Sequence, residues 1–362
     1  MTESPAAPAP MEEHGGYNLR SRVQAGGLSP AVPLLERAAH TASLPEAPHP
    51  IVIADYGSSQ GHNSLAPMGA AISVLRERGG TERAISVVHT DLPRNDFTAL
   101  FETLLNDPAS YLRDNSNVYP SAVGRSFYEQ ILPSESVTLG WSSWAIQWLS
   151  APPCPIPDHV QVASSRDAAA REAFRRRSAE DWRNFLAARG WELRPGGKLV
   201  LLTMALNEHG EFGYEPLLAA MYDALTAMVE SGFIRPEELH RMTIPTVARS
   251  REDFLEPFGS SGSFSGLRVE EIEVFNGEDH IWADYEKGAK TYADARAYAA
   301  QWVAFSRASV FPTLAADLDK NGNDGRRAEF FDTLEAESIT RLAKTPQRML
   351  IPLARVLVTK EG

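Results

Sequence analysis

Apolar residues follow two rhythms along this chain. Short unbroken runs, IVIAD at 51–55, AISVVHTD at 84–91, VTLGWSS at 137–143 and KLVLLTMA at 198–205, have the length and the β-branched content of strands buried on both faces. Between them the spacing becomes helical. Residues 28–40 and 95–105 carry helical patterns, 64–78 form a helix closed by Gly79-Gly80, and 167–193 form a long amphipathic helix closed by Arg194-Pro195-Gly196-Gly197. This alternation predicts a doubly wound α/β sheet. Beyond residue 206 the pattern changes to aromatic-rich helices at 217–233 and 291–310, with strands at 264–275 and 353–360 that would complete the sheet. No internal repeat is visible. The expected layout is an N-terminal tail over 1–13, then one domain over 14–362. Its core sheet would lie within about 50–205 and 264–362, and its helical cap mainly within 206–263 and 285–330.

Composition narrows the partners. With 35 basic and 47 acidic residues the net charge is −12, and no basic stripe appears, so nucleic acid and anionic membrane surfaces are not expected partners. The one basic cluster, Arg175-Arg176-Arg177, lies in a helical pattern with acids nearby and reads as a solvated face. No run of about 18 apolar residues occurs, and the Pro/Ala-rich, acidic start MTESPAAPAPMEEH lacks the features of a secretory signal. The single cysteine, Cys154, cannot form an internal disulfide and reads as structural, which suits a reducing cytoplasm. The stretch DLDKNGND at 317–324 imitates a calcium loop, but the twelfth position is Ala328 rather than Glu, so a surface turn is expected.

Chemistry concentrates at IADYGSSQGHN, residues 53–63, where the first apolar run ends and a helix begins. Gly57 and Gly61 let a ligand approach the backbone closely. The pattern is D-x-G-x-x-x-G, and it places Asp55 where a pyrophosphate site would have no acid. A carboxylate there repels phosphate but suits an α-ammonium group. The second strand ends in Asp91, placed to accept hydrogen bonds from two ribose hydroxyls. An amino acid joined to adenosine, such as S-adenosylmethionine, satisfies both acids; a plain strand-turn with no ligand is the simpler alternative.

Further motifs extend the pattern: GYNLRSRVQ (16–24), HTDLPRNDFTALFETL (89–104), SAVGRSFYEQILPSESV (121–137), WSSWAIQWLS (141–150) and DWRNFLAARGWELRPGGKLVLL (181–202). In this order they resemble the SABATH family of S-adenosylmethionine-dependent carboxyl methyltransferases, and its bacterial branch with fatty-acid O-methyltransferases most of all. The resemblance runs from about residue 14 to the C-terminus and is clearest up to residue 205. It implies a Rossmann-like doubly wound methyltransferase sheet with an α-helical cap over the active site. It also implies that Ser21, Asp55, Gly57, Asn63, Asp91, Leu92, Ser126, Phe127, Ser142 and Ser143 surround the cofactor. Asp91 would take the ribose, Leu92 and Phe127 would flank the adenine, and Asp55 and Ser21 would lie by the methionine moiety. Gln24 and Trp148 match the pair that holds the substrate carboxylate. Tyr17, Trp144 and Gln147 match pocket positions, with His14 near the same site. The product would be S-adenosylhomocysteine and the partner a small carboxylic acid, with a homodimer implied by many relatives.

Elementary chemistry agrees with such a pair. A carboxylate has a pKa of about 4 and is already a nucleophile at neutral pH, so no catalytic acid or base is needed. Gln and Trp are neutral donors that orient its oxygens without quenching their charge. Taken singly, however, Trp141, Trp144 and Trp148 could equally form a core stripe on a helix following the strand. Departures from the family pattern are Ser58-Ser59 after Tyr56-Gly57 where Cys-Ser-Ser is usual, Trp141 for His and Trp144 for another aromatic. His240 and Thr243 stand where some members place magnesium ligands before an Ile-Pro, so no metal is expected. The cavity expected from Trp144, Gln147, the region Leu206–Leu218 and the helix Trp302–Phe311 suits a medium-chain fatty acid or a small aromatic acid alike. Other readings are methylation of a phenol or ring nitrogen, a nicotinamide-dependent oxidoreductase, against which the missing G-x-G-x-x-G counts, and a non-catalytic partner protein.

Overall fold

The computed structural model describes residues 30–113, 115–319 and 324–362. A seven-stranded sheet forms its centre: β1 (Ile51–Tyr56), β2 (Ile85–Asp91), β3 (Val118–Gly124), β4 (Val137–Ser143), β5 (Leu193–Met204), β6 (Leu267–Asn276) and β7 (Pro352–Lys360). Their order in space is β3-β2-β1-β4-β5-β7-β6. β1 to β5 run parallel, and β7 runs antiparallel between β5 and β6. The chain therefore winds from β1 to β3 in one direction and from β4 to β5 in the other. The reversal opens a crevice at the carboxyl ends of β1 and β4, where α/β sheets dock their ligands.

The apolar runs become strands because both sheet faces are covered. Ile51 and Ile53 join one core cluster with helices α1 (Val32–Thr41) and α2 (His62–Gly79). Ala54 and Tyr56, pointing the other way, join a second with Trp182, Phe185 and Leu186 of α4 (Ala168–Glu192). A short α3 (Phe97–Asn106) follows β2, begun by Asp96, whose side chain accepts the Ala99 N–H at 2.9 Å. After β5 come α5 (Glu215–Glu230), α6 (Pro236–Arg241) and α7 (Arg251–Leu255). After β6 come α8 (His280–Lys287), α9 (Tyr292–Ser309), α10 (Phe311–Ala315) and α11 (Asp324–Leu342). α11 packs on both α5 and α9.

Three sequence expectations are corrected. A strand, β3, precedes the one read as third. It lies at the sheet edge, carries Pro120 and leaves Tyr119 58% exposed, so it has no apolar run to announce it. The stretch Arg194-Pro195-Gly196-Gly197, expected to be a loop, lies inside β5. Its register against β4 jumps from Val137↔Leu193 to Leu139↔Lys198, and the irregularity absorbs the extra residues. Finally, the three tryptophans do not share a helix. Trp141 is buried in β4, Trp144 has φ +53° just after it, and Trp148 forms an isolated antiparallel bridge with Thr246.

Candidate functional site

The crevice begins where β1 ends. Gly57 has φ +90°, and a Cβ there would collide with Ala145 and stand 3.7 Å from the Phe127 ring. The N–H groups of Gly57 and Ser58 both donate to the Thr90 carbonyl, at 2.9 and 3.0 Å, so the turn folds over the end of β2. There Asp91 receives two backbone donors, Ser59 N–H on Oδ2 and Leu92 N–H on Oδ1, each at 2.7 Å. Asn95 closes the ring by donating its amide to the Ser59 carbonyl at 2.8 Å. The 57–63 and 91–96 segments, distant in sequence, are thus stitched into one rim. Burial pushes the Asp91 carboxyl up to about 6, opposed by the two N–H donors and assisted by the charge of Asp55.

Asp55 lies beneath this rim, 2% exposed. Its Oδ2 accepts the Ser64 hydroxyl at 2.5 Å and faces His89 Nδ1 at 2.9 Å. The other ring nitrogen, Nε2, meets the Tyr111 hydroxyl at 2.8 Å. Ser64, His89 and Tyr111 were not singled out by sequence reading. A signal was there: His89 interrupts an apolar run in register with Asp55. Two buried oxygens in the rim, Ser59 Oγ and Asn63 Oδ1, have no hydrogen-bond partner.

The far wall is the segment after β3. Phe127 packs edge-on against Phe185, with ring centroids 5.8 Å apart. Arg189, fully buried, donates to the carbonyls of Phe127 and Glu129 at 2.7 and 2.9 Å and pairs with the equally buried Glu192 at 2.8 Å. Glu192 in turn accepts from the Ile131 and Leu132 N–H groups and from the Tyr56 hydroxyl. This buried pair fixes the loop that carries Ser126 and Phe127 to the end of β1. Ser142 spends its hydroxyl on the Tyr56 carbonyl at 2.8 Å, tying β4 to β1, while Ser143 stands half-buried beside it. Leu92 is half-buried on the opposite rim.

A narrow cavity of about 50 Å³ adjoins this crevice, walled by Trp144, Gln147, Trp148, Tyr214, Met221 and Phe305 among others. Gln147 Oε1 accepts the Thr203 hydroxyl at 3.0 Å, and the buried Trp144 Nε1–H has no partner. The Tyr128 hydroxyl donates to the Trp148 carbonyl at 2.6 Å, joining the Phe127 wall to the cavity. Tyr17, Ser21 and Gln24, with His14, lie outside the described residues. Of the residues expected at the acid, Trp144, Gln147, Trp148, Leu217, Leu218, Phe305 and Val310 line the narrow cavity, whereas Leu206 lines a separate one and Trp302 lines neither.

The residues present fit S-adenosylmethionine. The rim offers orphaned oxygens and a glycine cradle that a Cβ would fill, and the Asp91 carboxylate, a group able to accept hydroxyls, sits between two loops. Among the described residues no group of three or more His, Cys, Asp or Glu side chains is placed to hold a metal ion. His240 is exposed and Thr243 buried. Asp319 of the calcium-like stretch pairs with Arg235 and with Arg241, the latter at 2.8 Å; residues 320–323 lie outside the described residues. No described helix is long and apolar enough to cross a membrane.

Comparison with known proteins follows this geometry. A family model described as SAM dependent carboxyl methyltransferase matches residues 11–356. The chain is similar to methyltransferase LUC1 of Fusarium sp, 31% identical over 252 residues that cover 67% of this chain and 65% of that protein. It thus spans about 65% of the length of that curated relative. It is also similar to a benzoic acid/salicylic acid carboxyl methyltransferase of Petunia hybrida, 29% identical over 63% of this chain and 67% of that one. A solved loganic acid methyltransferase with SAH shares the fold at TM-score 0.73 and 20% identity, covering 98% of this chain and 99% of that one.

Proposed function

Because the chain belongs to the family of S-adenosylmethionine-dependent carboxyl methyltransferases, we propose that it methylates the carboxylate of a small organic acid, releasing the methyl ester and S-adenosylhomocysteine. One observation carries this reading. The Asp91 rim and the Trp144–Trp148 wall meet at the β1/β4 switch point, with Phe127 against the Gly57 turn and Tyr128 on the Trp148 carbonyl.

The bound cofactor supplies an electrophilic methyl group on a sulfonium. The chain's part is to bind, orient and keep out water. Asp91 accepts the ribose hydroxyls; Leu92 and Phe127 flank the adenine; Asn63, Ser126 and Ser143 line the cofactor's path. Asp55 adds negative charge beneath the amino-acid end, held by Ser64 and His89. Trp148 and Gln24 orient the acid with neutral donors. No side chain acts as a base, because the acid arrives ionised. As the oxygen–carbon bond forms and the carbon–sulfur bond breaks, opposite charges cancel, so the apolar cavity does not oppose the reaction. We read α5, α9 and α11 with the 206–263 segment as a cap over this cavity, and the protein as a cytoplasmic homodimer.

The test is transfer of labelled methyl to a panel of free acids, each paired with its amide. Label in an acid but not in its amide supports the carboxyl assignment. Transfer to a phenol or ring nitrogen in place of every acid refutes it. Gln24→Ala should damage transfer while S-adenosylhomocysteine binding stays intact, and Asp91→Ala should weaken that binding.

A further inference from the structure

The cavity beside Trp148 is too small to be the whole acid site. Its 50 Å³ holds only a few water-sized groups. Two of its wall residues, Gln161 and Phe212, also line a second cavity of about 440 Å³ on their other side, a volume ordinary for a ligand site. This groove runs between α4, the 206–215 segment and the 247–256 segment.

Gln161 is a fixed post. Its Nε2 donates to the Thr246 hydroxyl and carbonyl at 2.7 and 3.2 Å, and its Oε1 accepts the Ala163 N–H at 3.1 Å. Phe212, the other shared residue, is buried with its ring 5.8 Å from that of Tyr214. It sits between Gly210 and Gly213, at φ +75° and +79°, and a Cβ on Gly210 would meet nothing within 4 Å. The Gln161 and Phe212 side chains are thus the partition the two spaces share.

The groove's chemistry differs from the inner cavity's. Arg171, Arg175, Arg183 and Arg249 line it together with Glu211, Glu215, Asp253 and Glu256, of which Arg183 and Glu256 already pair with each other. Arg249 is 2% exposed; its terminal nitrogens donate to the Ile146 and Ser178 carbonyls at 2.7 and 3.0 Å, but its buried Nε–H has no partner. A buried donor left unpaired is costly, and an acceptor oxygen relieves it. A hydrocarbon tail would strip water from the charged groups and return nothing. An anion would meet four carboxylates. An uncharged tail bearing hydroxyl, ether or ketone oxygens can accept from the guanidinium groups, and hydroxyls can also donate to the acids.

Resting on the carboxyl reading above, we propose that the acid is elongated: apolar beside its carboxylate, passing Gln161 and Phe212, with neutral oxygen functions at its far end seated in the groove beside Arg249. The groove is then the subsite that selects among acids.

The experiment compares kcat/KM for straight-chain acids of increasing length with their ω-hydroxy counterparts, in the full chain and in Ala179→Trp and Ser164→Trp, which fill the groove from exposed positions on its wall. In the wild type, long ω-hydroxy acids should exceed plain acids of the same length by about tenfold, the equivalent of one gained hydrogen bond. Either variant should erase that preference and leave turnover of the shortest acid, acetate, unchanged. A preference absent from the wild type, or persisting in both filled variants, overturns the proposal while methylation of short acids leaves the carboxyl reading standing. If no acid of any length is methylated although S-adenosylhomocysteine binds, the carboxyl reading itself falls, and this proposal with it.

Discussion

The Tyr128 hydroxyl donates a 2.6 Å hydrogen bond to the carbonyl of Trp148. Tyr128 follows Phe127 directly, and the two rings touch edge-on with centroids 4.8 Å apart. Phe127, which we propose flanks the adenine, and Trp148, which we propose orients the acid, are therefore joined by one phenol. Burial holds that phenol well above its usual pKa, so it stays a donor across the working pH range.

Replacing Tyr128 by Phe removes the bond and keeps the ring. We expect about 1 kcal/mol of lost stability, the net worth of one hydrogen bond. Turnover of the acid should fall several-fold, while S-adenosylhomocysteine affinity stays within twofold. Calorimetry paired with steady-state kinetics checks this; equal losses in both would place Tyr128 in the cofactor site alone.

The Asp91 carboxyl, raised from 3.8 to about 6, gives opposite signs to stability and to binding. Its folded pKa lies above its unfolded one, so the folded state holds the proton more tightly. Its contribution to stability is then greatest at low pH and declines as pH rises through about 4 to 6. Ribose hydroxyls donate to the ionised form, so cofactor affinity should weaken as pH falls below about 6. Measured as the difference between wild type and Asp91→Asn, thermal stability should favour the wild type more at pH 4 than at pH 7. The affinity difference should run the other way. Parallel trends would refute the ribose role.

Gly57 tests the cradle. Alanine there meets Ala145 and must hold φ +90°. The strain costs about 1–3 kcal/mol, and the rim should lose its shape, so S-adenosylhomocysteine affinity should fall at least tenfold. Gly80, at φ +83° with open space around it, is the control: alanine there carries the backbone strain but should leave affinity unchanged.

The buried Arg189–Glu192 pair anchors the Phe127 loop from below. Removing one partner strands the other charge, so Arg189→Met should cost about 3–5 kcal/mol. Denaturant titration should show this, and the double change Arg189→Met with Glu192→Gln should recover part of the loss. A single variant as stable as wild type would show the pair to be dispensable.

Much of this frame is legible in the sequence because β1, β2 and β4 are buried on both faces and must be apolar. β3 escaped notice because an edge strand is under no such demand, and the start of β5 because Pro195 and Gly196 read as a stop when they form an irregularity within the strand. At the site, Asp91 and Phe127 announce themselves through unusual neighbours. His89 announces only an interruption of an apolar run and Glu192 nothing at all, since their roles come from residues 34 and 136 positions away, Asp55 and Tyr56, brought beside them only by the sheet and the helix packed on it. The selecting groove is still less visible, being assembled from three segments with no motif of their own.

β7 has a consequence for how the protein is made. The strand at 352–360 lies between β5 and β6 and hydrogen-bonds to both, although β5 ends well over a hundred residues earlier. Until residues 352–360 leave the ribosome, the facing edges of β5 and β6 wait unpaired, open to pairing with another chain. The closing step joins segments remote in sequence, which is slow. The sheet is therefore completed only once that strand has emerged, and the yield of active protein should depend on what shields the edge of β5 in the interval.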